Sequence, residues 1–388
     1  MRSRAIFRIG PGIAAIVGLS LLWGGVNASS SQLAAAPQPA APAARELTVL
    51  VAGGQDTIVP VAFFPANVRI RAGDTVTWKH NGGLDHSVTF SAGATPLGPT
   101  QARSGGLPGD LKPGPAVRVE GGPGGVPNMR NPEEIFSSVS SGSTYSGSGF
   151  FSSGLMGREP IYPGGPDRQS FSFIFDSPGV YEYFCVIHEA AGMVGTVAVA
   201  PAGALDVPDQ AAIDAQAQVE MATILANTER TRVRSNLAAR SQPGPNDTTL
   251  WAVLAGNSQN QSEDTRLQLF EFFPKDSTVR AGDTVIWNAR NFHSVTFVPS
   301  PPAPDPWVTV PQEDGSVRIF RHPLVAIAER PSPVFDPTRH FNSSPIGPAR
   351  ANGAVWALTF DRPGTFEYFC GVHREEGMTG SITVLPRS

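Results

Sequence analysis

Short runs of alternating apolar and polar residues recur along this chain. Leu47-Thr-Val-Leu-Val51, Thr75-Val-Thr-Trp78, Ser87-Val-Thr-Phe90 and Ser170-Phe-Ser-Phe-Ile-Phe175 each set large side chains on one face of an extended backbone. That period of two predicts half-buried strands. Turns at Pro178-Gly179 and Pro363-Gly364 lead into two aromatic runs, Tyr181-Glu-Tyr-Phe-Cys185 and Thr365-Phe-Glu-Tyr-Phe-Cys370, which also read as strands. One segment breaks the pattern. Pro208 to Arg240 is rich in Ala, Gln and Glu, with Pro at its start and Arg at its end, and predicts a helix. Its apolar positions Ile213, Val219, Ile224 and Leu225 make a weak stripe, which suits a packed or spacing connector better than a partner-binding helix.

The strand pattern is used twice. Phe63-Phe-Pro-Ala-Asn-Val-Arg-Ile-Arg-Ala-Gly-Asp-Thr-Val-Thr-Trp78 returns as Phe272-Phe-Pro-Lys-Asp-Ser-Thr-Val-Arg-Ala-Gly-Asp-Thr-Val-Ile-Trp287, and His-Ser-Val-Thr-Phe follows at His86 and again at His293. Such self-similarity means one folding unit repeated. The expected boundaries are a first domain over 46–200, a connector over 201–247 and a second domain over 248–386. Between Ser91 and Gln169 the first half carries a long Gly/Ser/Pro insertion, expected to be an irregular cover. Within it Phe150-Phe-Ser-Ser-Gly154 matches Phe341-Asn-Ser-Ser344.

The strongest chemical signal is a loop that also occurs twice. Cys185-Val-Ile-His188-Glu-Ala-Ala-Gly-Met193 and Cys370-Gly-Val-His373-Arg-Glu-Glu-Gly-Met378 share the pattern C-x2-H-x4-M and contain the chain's two cysteines. A thiolate, an imidazole and a thioether within nine residues, joined by a second imidazole, form the donor set of a blue copper site. Copper alternates between Cu(I), which favours sulfur, and Cu(II), which favours nitrogen, and this set serves both. Zinc also accepts Cys and His, but Met is a poor ligand for it. His86 has a counterpart in His293. His80 has none and reads as a turn or surface residue.

On these residues the chain resembles the plastocyanin-type cupredoxins. The resemblance implies an all-β fold of two Greek-key β-sandwiches joined by a partly helical connector. It also implies one copper per domain, held by His86, Cys185, His188 and Met193 in the first and by His293, Cys370, His373 and Met378 in the second. Ser87 and Ser294 stand where plastocyanin commonly has Asn, a position that hydrogen-bonds the thiolate and so bears on the reduction potential. His188 and His373 are the electron portals that the resemblance implies.

Length and composition narrow the rest. The 388 residues suit two domains, and 41 glycines with 37 prolines suit all-β units with long turns. A net charge of −4 without a basic stripe argues against nucleic acid. Arg2, Arg4 and Arg8 precede an uncharged stretch from Ile9 to Val26, and Val26-Asn27-Ala28 offers a cleavage site, so residues 1–28 are expected to be an export signal. Uncleaved, the segment would tether the chain to a membrane. Leu33 to Arg45 reads as an Ala/Pro tether. The expected location is periplasmic or extracellular, and the expected role is single-electron transfer between a donor and an acceptor protein. Two alternatives stand beside it: an oxidase or nitrite reductase-like copper enzyme, and copper binding or delivery without turnover. The enzyme needs further clustered histidines. Of the seven present, only His80, His322 and His340 remain, scattered along the chain. The flanks of the two loops differ, Glu189-Ala-Ala against Arg374-Glu-Glu, and acidic neighbours would steer a basic partner.

Overall fold

The computed structural model describes residues 43–82, 84–91, 140–145, 147, 150–157, 168–257, 260–289, 293–299, 307–311, 317–321, 333–346 and 355–387. The expected export signal and most of the tether and of the first insertion lie outside these residues, as does His322. From residue 41 onward the chain forms one compact unit. Among the described residues no helix is long and apolar enough to cross a membrane.

The first half contains β1 (Glu46–Val51), β2 (Ile58–Pro60), β3 (Phe63–Phe64), β4 (Asn67–Arg71), β5 (Thr75–His80) and β6 (Thr89–Ser91). It continues with β7 (Ser143–Tyr145), β8 (Phe150–Ser152), β9 (Ser170–Phe175), β10 (Gly179–Phe184) and β11 (Val194–Ala200). Two helices follow, α1 (Gln210–Leu225) and α2 (Thr228–Ala238). The second half opens with β12 (Gln242–Pro243), β13 (Thr249–Ala255), β14 (Leu267–Leu269), β15 (Phe272–Phe273), β16 (Asp276–Arg280) and β17 (Asp283–Ala289). It closes with β18 (Thr296–Phe297), β19 (Trp307–Pro311), β20 (Val317–Arg321), β21 (Phe341–Asn342), β22 (Val355–Phe360), β23 (Gly364–Phe369) and β24 (Thr379–Leu385).

Each half is a two-sheet sandwich. In the first, the order β3-β1-β5-β9-β7 faces β4-β11-β10-β6-β8. In the second, β12-β13-β17-β22 with β15 faces β16-β24-β23-β18-β21. The alternation seen in the sequence supplies the inner faces. Leu47, Val49 and Val51 of β1 point inward with Val76 and Trp78 of β5 and Phe171, Phe173 and Phe175 of β9. Trp78 lies edge-on to Phe90 and Tyr183 at 5.7 and 5.2 Å, and Trp287 repeats this with Phe297 and Tyr368 at 5.9 and 5.4 Å. Edge-to-face aromatic packing at these distances adds to the burial of the rings themselves. The two Phe-x-Ser segments align as expected, β8 pairing with β6 and β21 with β18.

Two readings are corrected by the structure. His80 is buried, not at the surface, because it follows Val76 and Trp78 on the inward side of β5 at the same period of two. The connector is two helices, not one. Asp209 caps the first, accepting from Ala212 N at 2.9 Å, and the break falls at Ala226-Asn227. Its buried stripe is Ile213, Ala217 and Ile224, while Val219 is exposed. Packing against the domains selects that face. Ala217 and Ile224 join Ala62 and Phe64 from the first half and Leu267, Leu269 and Phe273 from the second in one apolar cluster. The halves also share a two-stranded sheet, β2 with β14.

Asp74 ties the first sandwich to its entry strand. Buried, it accepts from Arg45 N at 2.9 Å, Arg45 Nη2 at 2.7 Å and Arg71 N at 2.9 Å. Removing a buried acceptor leaves several donors unmatched. Asp74→Ala is therefore expected to cost about 3 kcal/mol of unfolding free energy, read as a lower denaturant midpoint with an unchanged slope.

Candidate metal centres

Each ligand loop is the connection of a β-hairpin. β10 ends at Phe184 and β11 begins at Val194, so Cys185, His188 and Met193 all lie in the nine residues between them. Cys370, His373 and Met378 fill the same place between β23 and β24. Backbone bonds fold the loop back on itself: Cys185 N donates to Met193 O at 3.1 Å, His188 N to Cys185 O at 3.2 Å and Met193 N to His188 O at 3.1 Å. The second loop repeats these bonds at 2.9, 3.2 and 3.1 Å. Gly192 and Gly377 turn the chain just before the methionines at φ 97° and 91°, a region costly for side-chain-bearing residues.

The upstream histidines lie just before β6 and β18, each held by an isolated backbone bridge. His86 exchanges backbone bonds with Met156 at 2.8 and 2.6 Å, and Ile346 N donates to His293 O at 2.8 Å. In the first site His86 Nδ1 and His188 Nδ1 are 3.1 Å apart, with Cys185 Sγ 3.9 and 3.7 Å from them. In the second the separations are 3.1, 4.0 and 3.5 Å. The point equidistant from the three atoms lies about 2.1 Å from each in both sites, within the range of nitrogen–metal and just under that of sulfur–metal bonds. Met193 and Met378 are fully buried alongside. The donors thus fit a metal that accepts nitrogen and sulfur together.

Ser87 and Ser294 hold the thiol in place. Their amides donate to Cys185 Sγ and Cys370 Sγ at 3.3 Å, and their hydroxyls accept from Val186 N at 3.0 Å and Gly371 N at 2.8 Å. A residue short enough to turn its side chain back into the hairpin does this work. Behind Ser87 the hydroxyls of Thr89 and Ser152 continue the chain at 3.1 Å each, whereas Thr296 donates to Asn342 Oδ1 at 3.2 Å. Burial holds His86 neutral well below the usual histidine range, assisted by the neighbouring His188 and His80, and burial alone brings His293 down to about 3. Burial also pushes both thiols up, against the pull of the Ser87 and Ser294 amides. Neutral imidazoles keep their lone pairs for a metal, and a metal cation supplies the charge that would favour the thiolate.

Two neighbours of the sites were not singled out by sequence reasoning. Phe270 stacks on His373 with ring centres 4.2 Å apart and planes at 10°. His80 lies with its ring 6.1 Å from that of His86 and its Nε2 2.7 Å from Leu84 O. Strand parity was a signal that could have revealed the burial of His80, against its reading as a turn or surface residue; nothing in the sequence marked Phe270. His340 does not join either group, and the two His-Cys-His groups are the only metal-binding clusters of three or more among the described residues.

A family model described as copper binding proteins of the plastocyanin/azurin family matches residues 158–200 and 258–385, spans that take in both hairpin loops. Both halves of the chain are thus similar to the plastocyanin-like copper-binding proteins. Similar proteins include the chloroplastic plastocyanin of Physcomitrium patens, 27% identical over 147 residues, or 38% of this chain and 54% of the relative. Plastocyanin of Scenedesmus fuscus is 26% identical over 139 residues, 36% of this chain and 87% of the relative. The chain thus spans only about half the length of the first of these. Among solved structures, oxidized plastocyanin from Dryopteris crassirhizoma is 18% identical, with 39% of this chain and 99% of that chain covered and a TM-score of 0.21.

Two predictions follow from the way this chain holds its histidines. A Cβ at Gly256 would stand 2.2 Å from His293 Nε2, and its φ of +72° already resists a side chain. Gly256→Ala should therefore empty the second site while sparing the first, halving bound copper in a metal assay. In the metal-free protein, His86 and His293 stay neutral when folded but take up a proton near pH 6.5 once unfolded. Their contribution is complete above that pH and is lost as the pH falls toward about 3 for His293, with a slope of about 1.4 kcal/mol per pH unit for each histidine. Chemical denaturation at several pH values should show this, and His293→Gln should make the slope shallower.

Proposed function

We propose that this cupredoxin is an exported blue copper protein that carries single electrons between redox partners through two type 1 sites. The observation that carries the reading is the convergence of two imidazole nitrogens and one sulfur in each half, at nearly the same spacing, beside a buried methionine. His86, Cys185, His188 and Met193 would hold one copper, and His293, Cys370, His373 and Met378 the other. Copper so held changes oxidation state by one electron with little rearrangement of its ligands.

The chain's own residues supply rigidity and exclusion. Cys185, His86 and Met193 are buried, as are Cys370, His293 and Met378, so water is kept from the sulfur. Only His188 and His373 among the ligands are partly exposed. Each is thus the natural edge at which an electron enters or leaves. The doubly bonded serines hold each hairpin in one geometry, which keeps reorganisation small. A carrier is favoured over an oxidase because the residues flanking the cysteines, Phe184, Val186, Phe369 and Gly371, offer no imidazole for a further copper.

The test is a copper count and visible spectrum of the mature protein beside Cys185→Ser and Cys370→Ser. Two coppers, an intense thiolate band and a reversible one-electron wave in each single-site variant are expected. A missing band in either variant, or metal that exchanges freely without a reversible wave, would overturn the carrier reading.

A further inference from the structure

The contact between the halves follows the repeat itself. In the shared sheet Val59 pairs with Gln268, and these occupy the same position relative to Phe63-Phe64-Pro65 and Phe272-Phe273-Pro274. Val61 N donates to Arg266 O and Phe270 N to Thr57 O, both at 2.8 Å. Thr57 and Arg266 are again repeat equivalents, as are Val61 and Phe270, so one bond is made twice about a local twofold.

The ligand loops touch this same seam. A Cβ on Gly192 of the first loop would lie 3.4 Å from Arg266 and 3.7 Å from Thr265, and one on Gly377 of the second would lie 3.6 Å from Thr57. Thr265 Oγ1 donates to Ala191 O at 2.8 Å, two residues before Met193. Just beyond the other end of β14, Phe270 stacks on His373. The segment from Thr265 to Phe270 therefore touches the first ligand loop at one end and a ligand of the second site at the other. Thr265 and Arg266 lie in the turn that enters the strand, and the extended steps from Leu267 to Phe270 span about 10 Å. Leu267, Leu269 and Phe270 are fully buried, while Thr265, Arg266 and Gln268 are half-buried.

We propose that residues 265–270 form an electron bridge joining the two sites within one chain. The proposal rests on the two-site copper reading. In the exchange one centre is oxidised by one electron as the other is reduced by one; no bond is made or broken and no proton moves. The backbone symmetry of the seam fixes both loops against it, while its side chains differ between the halves, and one of those differences, Phe270 where the first half has Val61, places an aromatic ring on His373 of the second site. An electron accepted at the exposed edge of either half is then shared by both.

The full chain, loaded with copper, gives two readouts. Dipolar electron paramagnetic resonance of the frozen, oxidised protein should show one narrow separation between the centres; a broad distribution would mean that the seam does not fix them and would overturn the bridge. For kinetics, Met193→Gln changes one axial ligand and so sets the two sites apart in potential and colour. After a short reducing pulse too small to fill both sites, electrons should redistribute toward the higher-potential site at a rate unchanged by tenfold dilution. Thr265→Val should slow that phase while leaving each site's spectrum intact. A rate that falls tenfold with tenfold dilution would assign the exchange to collisions between molecules and sink the proposal. Failure of the copper reading would look different, since a single-site cysteine variant would then lack its remaining thiolate band.

Discussion

Two imidazole nitrogens held 3.1 Å apart beside a buried sulfur are an arrangement that a protein chain does not adopt unaided. All three atoms present lone pairs to the same point. The rest of each half resists their separation. The sandwich supplies one histidine from the segment leading into a strand that is paired on both sides, and the hairpin supplies the other three donors from a loop closed by its own backbone bonds. Ser87 and Ser294 couple these two parts, giving an amide to the sulfur and receiving one from the residue after the cysteine. What the fold spends on holding the donors apart from solvent, a bound cation returns.

Much of this was legible in the chain. Period-two alternation fixed the inner faces, and the doubled C-x2-H-x4-M loops with their upstream histidines picked out the groups that the structure brings together. The same alternation, carried two residues past Trp78, would have placed His80 inside; weighing it as an unpaired polar residue hid that. The connector was harder, because its buried stripe includes small Ala217 and omits larger Val219. Which face of a weakly patterned helix is covered depends on the neighbours it meets, and those come from both halves. Phe270 was illegible for a similar reason. Its backbone belongs to the seam while its ring belongs to the second site, and no local pattern records two such attachments.

The connector also explains how two sandwiches become one unit. α1 rests on β1, β2 and β3 and α2 on β13, β14 and β15. Arg232 of α2 grips Glu271, whose carboxylate also accepts from Thr57 Oγ1 of the first half at 2.8 Å. A partly buried carboxylate shared by a guanidinium and a hydroxyl is directional as well as attractive. The halves are thus oriented by polar contacts around an apolar centre.

The local twofold has a further meaning. Two identical subunits meeting across such an axis must present the same residue to both sides, so any change is made twice. Joined in a single chain, the halves escape that restriction. Phe270 stands where the first half has Val61, Gly256 where it has Ala52, and Ala289 where it has His80. Fusion lets a symmetric scaffold carry two unlike centres and inherit the difference.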